Sequence, residues 1–239
     1  MAGSRQGWVE APYCPCPASM ADVARHVAWI ERGRIAIVPG LTCEQLLPAP
    51  AAGLASVPDV MRGEEAQVFG ALQRLNLRDA VVVLPGTHSK WVRVEDRRVT
   101  TFRTFMTGEF YALLRQHSIL ARTLPPDDGT LDPQAFDAGV AMAGHDAGLL
   151  HNAFQARTLG LFDRMPPQAL PSYLSGLLIG EELRHQSLEA GQTVVIVGAP
   201  TLTLRYERAL ALQGVAATTL GSEATWQGLH AIAQHLATD

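Results

Sequence analysis

Residues 80–94 read A-V-V-V-L-P-G-T-H-S-K-W-V-R-V, and this stretch decides the fold class. Its first five residues are apolar and mostly β-branched, which is typical of a strand buried on both faces of a sheet. Pro85-Gly86 ends that strand, and the alternation over residues 91–94 predicts a second one. A further alternating run over residues 99–105 predicts a third strand, so the centre of the chain is a strand–turn–strand meander.

The segments before this centre are more varied. The spacing of apolar residues predicts a helix over residues 64–76 whose first turn carries two glutamates. Upstream, we expect a helix over residues 18–29 and a strand over residues 34–38. Because residues 41–58 contain four proline or glycine breakers, they are predicted to form a loop.

The segments after the centre predict a mostly helical region, 107–189, followed by a βαβα unit. In the helical region, Thr107 is a candidate cap, Asp132-Pro133 begins another helix, and residues 171–190 form a third that ends before Gly191. The βαβα unit comprises four segments, which are residues 193–197, 202–213, 216–220 and 223–236. A crossover of this kind pairs its strands in parallel, so the fold class is α/β.

The composition narrows the possible functions. The chain has 239 residues, of which 47% are hydrophobic and 18% charged, with a net charge of −4. The high apolar content excludes a disordered chain, and the net negative charge gives no general basic surface for nucleic acid. The sequence has no apolar run of about 18 residues, and residues 1–8 lack the apolar region of a signal peptide, so we expect a cytoplasmic protein. Three cysteines without a C-x-x-C motif indicate neither a zinc ribbon nor a redox site.

The turn at Gly86, Thr87, His88, Ser89 and Lys90 is the first candidate site. Eighteen of the 19 basic residues are arginine, and the one lysine lies in this turn. Successive backbone N–H groups in a glycine turn can form a concave nest for phosphate oxygens, and an ammonium adds a compact charge. The alternative is a polar hairpin turn without a ligand. Neither a P-loop nor a G-x-G-x-x-G fingerprint is present.

Two further segments are candidate sites. Gly198 and Ala199 follow an apolar strand and precede a helix, where α/β proteins place ligands and where small residues admit a flat base. Glu64 or Glu65, just after Arg62-Gly63, could accept a proton from a substrate hydroxyl. The alternatives are an ordinary strand–helix turn and a pair of glutamates that only stabilises the helix dipole.

Five motifs together resemble one family of kinases. They are V-x-L-P-G-T-H-S-K-W-V at 82–92, T-F-M-T-G-E at 104–109, L-S-G-L-L-I-G-E-E at 174–182, G-S-R-Q-G-W at 3–8 and M-R-G-E-E at 61–65. The sequence is therefore similar to the 2-dehydro-3-deoxygalactonokinase family, in the sugar-kinase branch of the actin-like ATPase superfamily.

The resemblance implies a reaction and roles for these residues. The γ-phosphoryl of ATP would pass, with Mg²⁺, to the C6 hydroxyl of 2-dehydro-3-deoxy-D-galactonate, in D-galactonate catabolism. Glu64, or its neighbour Glu65, would be the catalytic base, and the 86–90 turn would hold the β- and γ-phosphates. Gly198 and Ala199 would flank adenine. The sugar-acid pocket would be lined by Ser4, Arg5, Trp8 and Arg62.

The resemblance also implies a two-lobed fold, a homodimer, and a missing N-terminal piece. Residues 1–78 would be a remnant of the first, substrate-binding lobe, and residues 79–239 the second, nucleotide-binding lobe. The family opens with a strand carrying a D-W-G-T-T-N-like turn, and residues 1–40 contain no D-x-G-[ST]. We therefore expect a truncated first lobe, Ile35 and Ile37 on an unpaired edge, and weakened phosphoryl transfer.

Other classes of function remain as alternatives. A degenerate kinase would bind a sugar acid or nucleotide without turnover. A scaffold or ATPase of the same superfamily would have no use for the G-S-R-Q-G-W segment. A hydrolase using Cys43 or Ser89 lacks a G-x-S-x-G elbow.

Overall fold

The structure is a computed structural model that describes residues 11–51, 53–188 and 191–236. Within these residues, the strands in chain order are β1 Cys14–Pro15, β2 Ala28–Glu31, β3 Ile35–Ile37, β4 Leu41–Ala51, β5 Leu54–Met61, β6 Ala80–Leu84, β7 Ser89–Glu95, β8 Arg98–Phe105, β9 Val194–Val197 and β10 Ala217–Leu220.

The α-helices in the same residues are α1 Met20–Arg25, α2 Glu64–Arg74, α3 Thr107–His117, α4 Pro133–Ala143, α5 Gly148–Leu161, α6 Leu170–Arg184, α7 Pro200–Leu212 and α8 Glu223–Leu236. Two short 3₁₀ turns precede α4 and α6, at Ile119–Arg122 and Pro167–Ala169. Among the helices that the structure describes, none is both long and apolar enough to cross a membrane.

The central sheet has five strands in the order β10-β9-β6-β7-β8. β10, β9 and β6 are parallel, whereas β6-β7 and β7-β8 are antiparallel hairpins. All residues of β6 and β9 are buried, as their apolar sequences predict. The predicted meander, βαβα unit and α/β class are therefore confirmed.

The two faces of this sheet carry different helices. Side chains such as Val82, Val92 and Val195 join a core cluster with Phe69 of α2 and Ile232 of α8. Their neighbours along the strands point the other way, where they pack against α4, α6 and α7. Because strand side chains alternate, adjacent residues of β7 face different helices, and this determines the geometry of the site.

Helices α2 and α8 cross where two glycines meet. A Cβ added at Gly70 would lie 1.8 Å from the Ala224 carbonyl oxygen, and one at Gly228 would lie 1.8 Å from the Ala66 carbonyl oxygen. Both obstacles are backbone atoms, so no side chain can move aside. Only glycine permits this approach of the two helices.

We expect Gly70→Ala to lower the free energy of unfolding by about 3 kcal/mol, since the added methyl would force α2 and α8 apart. Urea denaturation followed by circular dichroism measures the change. Gly144→Ala is the matched control, because Gly144 is exposed, has a helical backbone and would place its Cβ 3.4 Å from the nearest atom. Equal losses in the two variants would show that the crossing tolerates a methyl group.

A second sheet, in the order β1-β4-β5, lies beside β8. The Asp59 carboxylate of β5 accepts hydrogen bonds from the Thr104 N–H at 2.8 Å and from its hydroxyl at 2.6 Å. Leu41 and Met61 belong to the same core cluster as Val82. One core therefore extends across the predicted boundary at residue 78, and the division into two lobes stays a prediction.

The prediction of a loop over residues 41–58 is wrong, because this segment forms most of the β4–β5 hairpin. Pro48 and Pro50 fall where the strand pairing is irregular, between Leu46 and Ala51, and Pro58 lies in the edge strand β5. Proline is tolerated at irregular positions and on edge strands, so it did not break this hairpin.

The predicted helix over residues 18–29 is too long. A capping box at Ser19 begins α1, but the helix ends at Arg25, and the apolar residues after it form β2. β2 pairs with β3, so Ile35 and Ile37 do not lie on a wholly unpaired strand. The helix predicted over residues 171–190 ends early as well, at Arg184.

Candidate active site

Several segments meet at one edge of the central sheet. β6 and β9 are parallel, so the β6–β7 loop (residues 85–88) and the turn at Gly198 follow their carboxyl ends side by side. A short connection joins the end of α2 to the start of β6, which places Glu64 toward the same edge. α3 also begins here, because Phe105 at the end of β8 pairs with Ser89. Open α/β sheets bind ligands at such edges.

Lys90 and Glu64 lie side by side at this edge. Lys90 Nζ is 3.9 Å from Glu64 Oε1. The Lys90 side chain is 6% exposed and the Glu64 side chain 25% exposed, so the ammonium is nearly desolvated while the carboxylate reaches solvent. The pair combines a fixed positive charge with an accessible proton acceptor.

The two glutamates at the start of α2 have different environments. Glu64 Oε2 accepts a hydrogen bond from the Arg62 N–H at 2.9 Å and stays partly exposed. Glu65 is buried, and its carboxylate accepts the Gly63 N–H at 2.7 and 3.0 Å. Burial raises the pKa of Glu65 to about 7. Glu65 therefore closes the first turn of the helix, and Glu64 is the glutamate beside Lys90.

Burial of Glu65 predicts a pH-dependent stability. Its pKa is about 7 in the folded protein and about 4.5 when exposed. Between these values the unfolded chain releases a proton that the folded protein keeps, so the free energy of unfolding falls as pH rises. We expect this group to remove about 2–3 kcal/mol between pH 4.5 and pH 8. Glu65→Gln should lose that part of the dependence, as measured by urea denaturation at both pH values.

The control for this prediction is Glu95→Gln, which changes an exposed glutamate at the end of β7. Both variants keep the other buried carboxylates, so the difference between each variant and the wild type isolates one residue. Wild-type and Glu65→Gln curves that run parallel from pH 4.5 to pH 8 would contradict the prediction.

The β6–β7 loop packs directly on the start of α3. The Glu109 N–H donates to the Thr87 carbonyl oxygen at 2.9 Å, and His88 Nε2 lies 2.5 Å from Glu109 Oε2. A Cβ at Gly108 would lie 2.4 Å from the Gly86 carbonyl oxygen, so this contact requires glycine. The positive end of the α3 dipole therefore adjoins the loop, which favours anions there.

A cleft of about 610 Å³ opens beside the loop, between α3, α6 and α7. We call it the α3–α7 cleft. Of the five residues of the predicted anion cradle, Gly86 and Thr87 line this cleft. The other lining residues are Thr107, Gly108, Tyr111, Asp128, Gly129, Ser175, Leu178, Ile179, Thr201, Leu202, Arg205 and Tyr206.

The predicted adenine-binding turn lies next to this cleft. A Cβ at Gly198 would be 3.5 Å from Pro85, so the turn contacts the β6–β7 loop. Ala199 caps α7, whose first turn contributes Thr201 and Leu202 to the cleft wall. Gly198 and Ala199 themselves are not among the residues that line it.

Ser89 faces away from Lys90. Its hydroxyl is buried and donates to Glu182 Oε2 at 2.7 Å. Lys90 is the next residue along β7 and lies on the α2 side of the sheet. Ser89 therefore does not line the α3–α7 cleft, and its hydroxyl hydrogen is donated to Glu182 and not to a ligand. The prediction that Thr107 caps α3 is wrong. Met106 is the N-cap residue, and the Thr107 hydroxyl donates to Glu182.

The predicted sugar-acid residues are only partly within the described structure. Arg62 is exposed near Glu64, its guanidinium carbon lies 4.5 Å from the centre of the Tyr13 ring, and it donates to the Ala11 carbonyl oxygen at 2.9 Å. Ser4, Arg5 and Trp8 lie outside the described residues.

Sequence reasoning missed Glu182, Tyr206, Arg205 and Asp128. One signal was available for Glu182. Residues 170–180 of α6 are apolar or small all round the helix, which predicts a buried helix. A charged residue that continues its buried face must find partners. Arg205 and Asp128 carry no comparable signal, because their place on the cleft wall depends on how α7 and the 125–132 connection pack.

Within residues 11–51, 53–188 and 191–236, no group of three or more His, Cys, Asp or Glu side chains is arranged to hold a metal ion. Oxygen groups beside the loop include the hydroxyls of Thr87 and Thr107, the Glu109 carboxylate against His88, and the Glu64 carboxylate beside Lys90. Oxygen donors suit Mg²⁺, which keeps several waters and takes few protein ligands when it binds with phosphates.

Comparison with known proteins decides the family. The family model described as 2-keto-3-deoxy-galactonokinase matches residues 1–232. The chain belongs to this family. It is 32% identical to the 2-dehydro-3-deoxygalactonokinase of Escherichia coli (strain K12), over 99% of this chain and 77% of that protein. It is 36% identical to the "Probable 2-dehydro-3-deoxygalactonokinase DgoK1" of Rhizobium meliloti (strain 1021), over 98% and 76% of the two chains.

A solved structure agrees with this membership of the galactonokinase family. The crystal structure of a protein from Sinorhizobium meliloti, described as a "putative 2-dehydro-3-deoxygalactonokinase", superimposes on this chain with a TM-score of 0.81 at 36% identity. The match covers 98% of this chain and 77% of the other. The chain thus spans about three quarters of the length of these relatives, and it is a member of a family of sugar kinases, which use ATP.

Proposed function

We propose that this protein transfers the γ-phosphoryl group of ATP to the C6 hydroxyl of 2-dehydro-3-deoxy-D-galactonate. The observation that carries the proposal is the 3.9 Å approach of Lys90 Nζ to Glu64 Oε1 at the sheet edge, next to the β6–β7 loop. Family membership supplies the substrate class, because the relatives are named for this acid.

Glu64 is the proposed catalytic base. Its carboxylate is partly exposed and sits at the start of α2, so a substrate hydroxyl can approach it. It would accept or orient the hydroxyl proton as the oxygen attacks the γ-phosphorus, a contribution typical of general bases. The buried Glu65 is the weaker candidate, because its oxygens are held by the Gly63 N–H.

Lys90 and the β6–β7 loop are the proposed phosphate site. The desolvated ammonium would stabilise the negative charge that spreads over the transferred group. Gly86, Thr87 and His88 would hold the β- and γ-phosphates, aided by the N-terminus of α3. Ser89 takes a different role in this proposal from the predicted one, since its hydroxyl anchors the loop to Glu182.

The α3–α7 cleft is the proposed adenosine site. Its volume of about 610 Å³ falls in the range of small-molecule pockets. Gly198 and Ala199 would admit the adenine ring at the start of α7, next to the loop that holds the phosphates. Arg62 would face the sugar acid on the other side of the sheet, together with Ser4, Arg5 and Trp8.

Mg²⁺ would arrive bound to the phosphates of ATP and supply positive charge to the transferred group. The Thr87 and Thr107 hydroxyls and the Glu64 carboxylate are the chain's own candidates to hold its waters. We also propose the two-lobed, actin-like ATPase arrangement, with residues 1–78 in the first lobe and residues 79–239 in the second. A cytoplasmic location and a homodimer stay predictions.

The test is a transfer assay with the purified chain, ATP, Mg²⁺ and 2-dehydro-3-deoxy-D-galactonate. We expect ADP release that depends on the acid, and a product whose phosphorus couples to the C6 protons in the NMR spectrum. Phosphate on another carbon would overturn the proposed position of transfer. Calorimetric binding of ATP and the acid without turnover would identify a binding module instead.

A further inference from the structure

Glu182 is a buried carboxylate that lies behind the wall of the α3–α7 cleft. It is 2% exposed and belongs to α6. Among the described residues, the side chains that donate hydrogen bonds to its carboxylate are all neutral. A buried carboxylate without such partners would be strongly unfavourable, and four donors converge on this one.

The four donors come from three different elements around the cleft. Ser89 donates its hydroxyl at 2.7 Å and Tyr206 at 2.9 Å, both to Oε2, and the Thr107 hydroxyl donates to the same oxygen. The Trp91 indole N–H donates to Oε1. Ser89 and Trp91 belong to β7, Thr107 begins α3, and Tyr206 belongs to α7, so one carboxylate connects all three elements.

These donors are adjacent to the proposed nucleotide site. Ser89 directly follows the β6–β7 loop, and Thr107 and Tyr206 line the cleft itself. A hydroxyl has one hydrogen, which Thr107 and Tyr206 give to Glu182. While Glu182 is ionised, both therefore present only lone pairs to a ligand in the cleft, where they can accept hydrogen bonds but cannot donate them.

We propose that Glu182 is a positioning residue for nucleotide binding: its carboxylate fixes the β6–β7 loop, the start of α3 and α7 around the cleft, and makes Thr107 and Tyr206 acceptors. This inference rests on the proposed function for the identity of the nucleotide. Glu182 lies on the opposite face of β7 from Lys90 and Glu64, because Ser89 and Trp91 bond Glu182 while Lys90, between them, pairs with Glu64.

Glu182→Gln tests the proposal, because an amide replaces one acceptor oxygen with a donor. Three hydroxyls and an indole then compete for a single acceptor, and the Trp91 N–H cannot reverse its role. We expect the calorimetric Kd for a non-hydrolysable ATP analogue to rise at least tenfold. The KM for ATP should rise in parallel, whereas the KM for the sugar acid should stay within twofold. A loss of stability alone would lower the active fraction and leave both KM values unchanged.

The matched control is Glu181→Gln, the same substitution at the preceding residue. Glu181 pairs with Arg184 at 3.1 Å and does not line the α3–α7 cleft. Its Kd for the analogue should equal that of the wild type. The indole N–H resonance of Trp91 provides a further readout: it should shift in Glu182→Gln and remain in place in Glu181→Gln.

Thr107→Val keeps the test decisive if Glu182→Gln does not fold, since it removes one of four donors. We expect its Kd for the analogue to rise about threefold to tenfold. An unchanged Kd in folded Glu182→Gln, or in Thr107→Val when the first variant is unfolded, would overturn the inference. If the wild type bound the ATP analogue but did not phosphorylate the acid, the proposed function would be wrong. The difference in Kd between the variants would still support the positioning role of Glu182.

Discussion

Glu64→Gln is expected to lower kcat for phosphoryl transfer by about 10²- to 10⁴-fold, the usual contribution of a general base. Glutamine keeps the size of the side chain and can still accept the Arg62 N–H, but it cannot take a proton from the attacking hydroxyl. The KM values for ATP and for the sugar acid should change little. Steady-state kinetics with a coupled ADP assay measures all three constants.

The controls for Glu64→Gln separate catalysis from folding and from general charge effects. Glu95→Gln alters an exposed glutamate of β7 and should retain full activity. Glu65→Gln removes the neighbouring carboxylate, which is buried against Gly63, and should retain most of the kcat. If Glu65→Gln lost activity while Glu64→Gln kept more than a tenth of it, the assignment of the base would pass to Glu65.

Lys90→Met is expected to lower kcat by about 10²- to 10³-fold, which is the range found when one preorganised charge or donor is removed from a transition state. Lys90 is nearly buried, so the ammonium acts in a region from which water is largely excluded and its charge is weakly screened. Methionine has a similar length and is apolar, so the variant should fold. The measurement is kcat at saturating ATP, with thermal unfolding as the test of folding.

Two further variants define the requirement at position 90. Arg93→Met changes a basic residue three positions along β7 and should leave kcat within twofold. Lys90→Arg keeps the charge but adds a planar fork at a site with little free space, so its kcat should fall between those of the wild type and Lys90→Met. A Lys90→Met enzyme with near-normal kcat would contradict the role of the ammonium.

Much of the fold could be predicted because the local sequence pattern of its central strands agrees with the structure that they form. The run at residues 80–84 is apolar throughout, and β6 has these bounds. The β4–β5 hairpin was missed because a local pattern of prolines was given more weight than pairing with distant partners. Pro48 and Pro50 are acceptable because the pairing is irregular there, and Pro58 because β5 is an edge strand, and neither property is visible in a single segment.

The candidate site could be predicted only in part, because short motifs mark some of its residues and not others. Family motifs and the single lysine pointed to Lys90 and Glu64, and the structure brings the two side chains to 3.9 Å. Glu182 was missed because its partners are 24 to 93 residues away along the chain. Motifs identify residue types, whereas hydrogen bonds between remote residues depend on the packing of α6 against β7 and α7.

The amino-acid sequence by itself determined the α/β class, the three central strands, the glycine turn and the family, because these follow from periodicity and short-range chemistry. Only the tertiary structure decided that Lys90 meets Glu64 while Ser89 meets Glu182. Alternation along β7 requires neighbouring residues to face opposite sides of the sheet. Which helix covers each side is set by long-range packing, and that packing separates the proposed catalytic pair from the carboxylate behind the α3–α7 cleft.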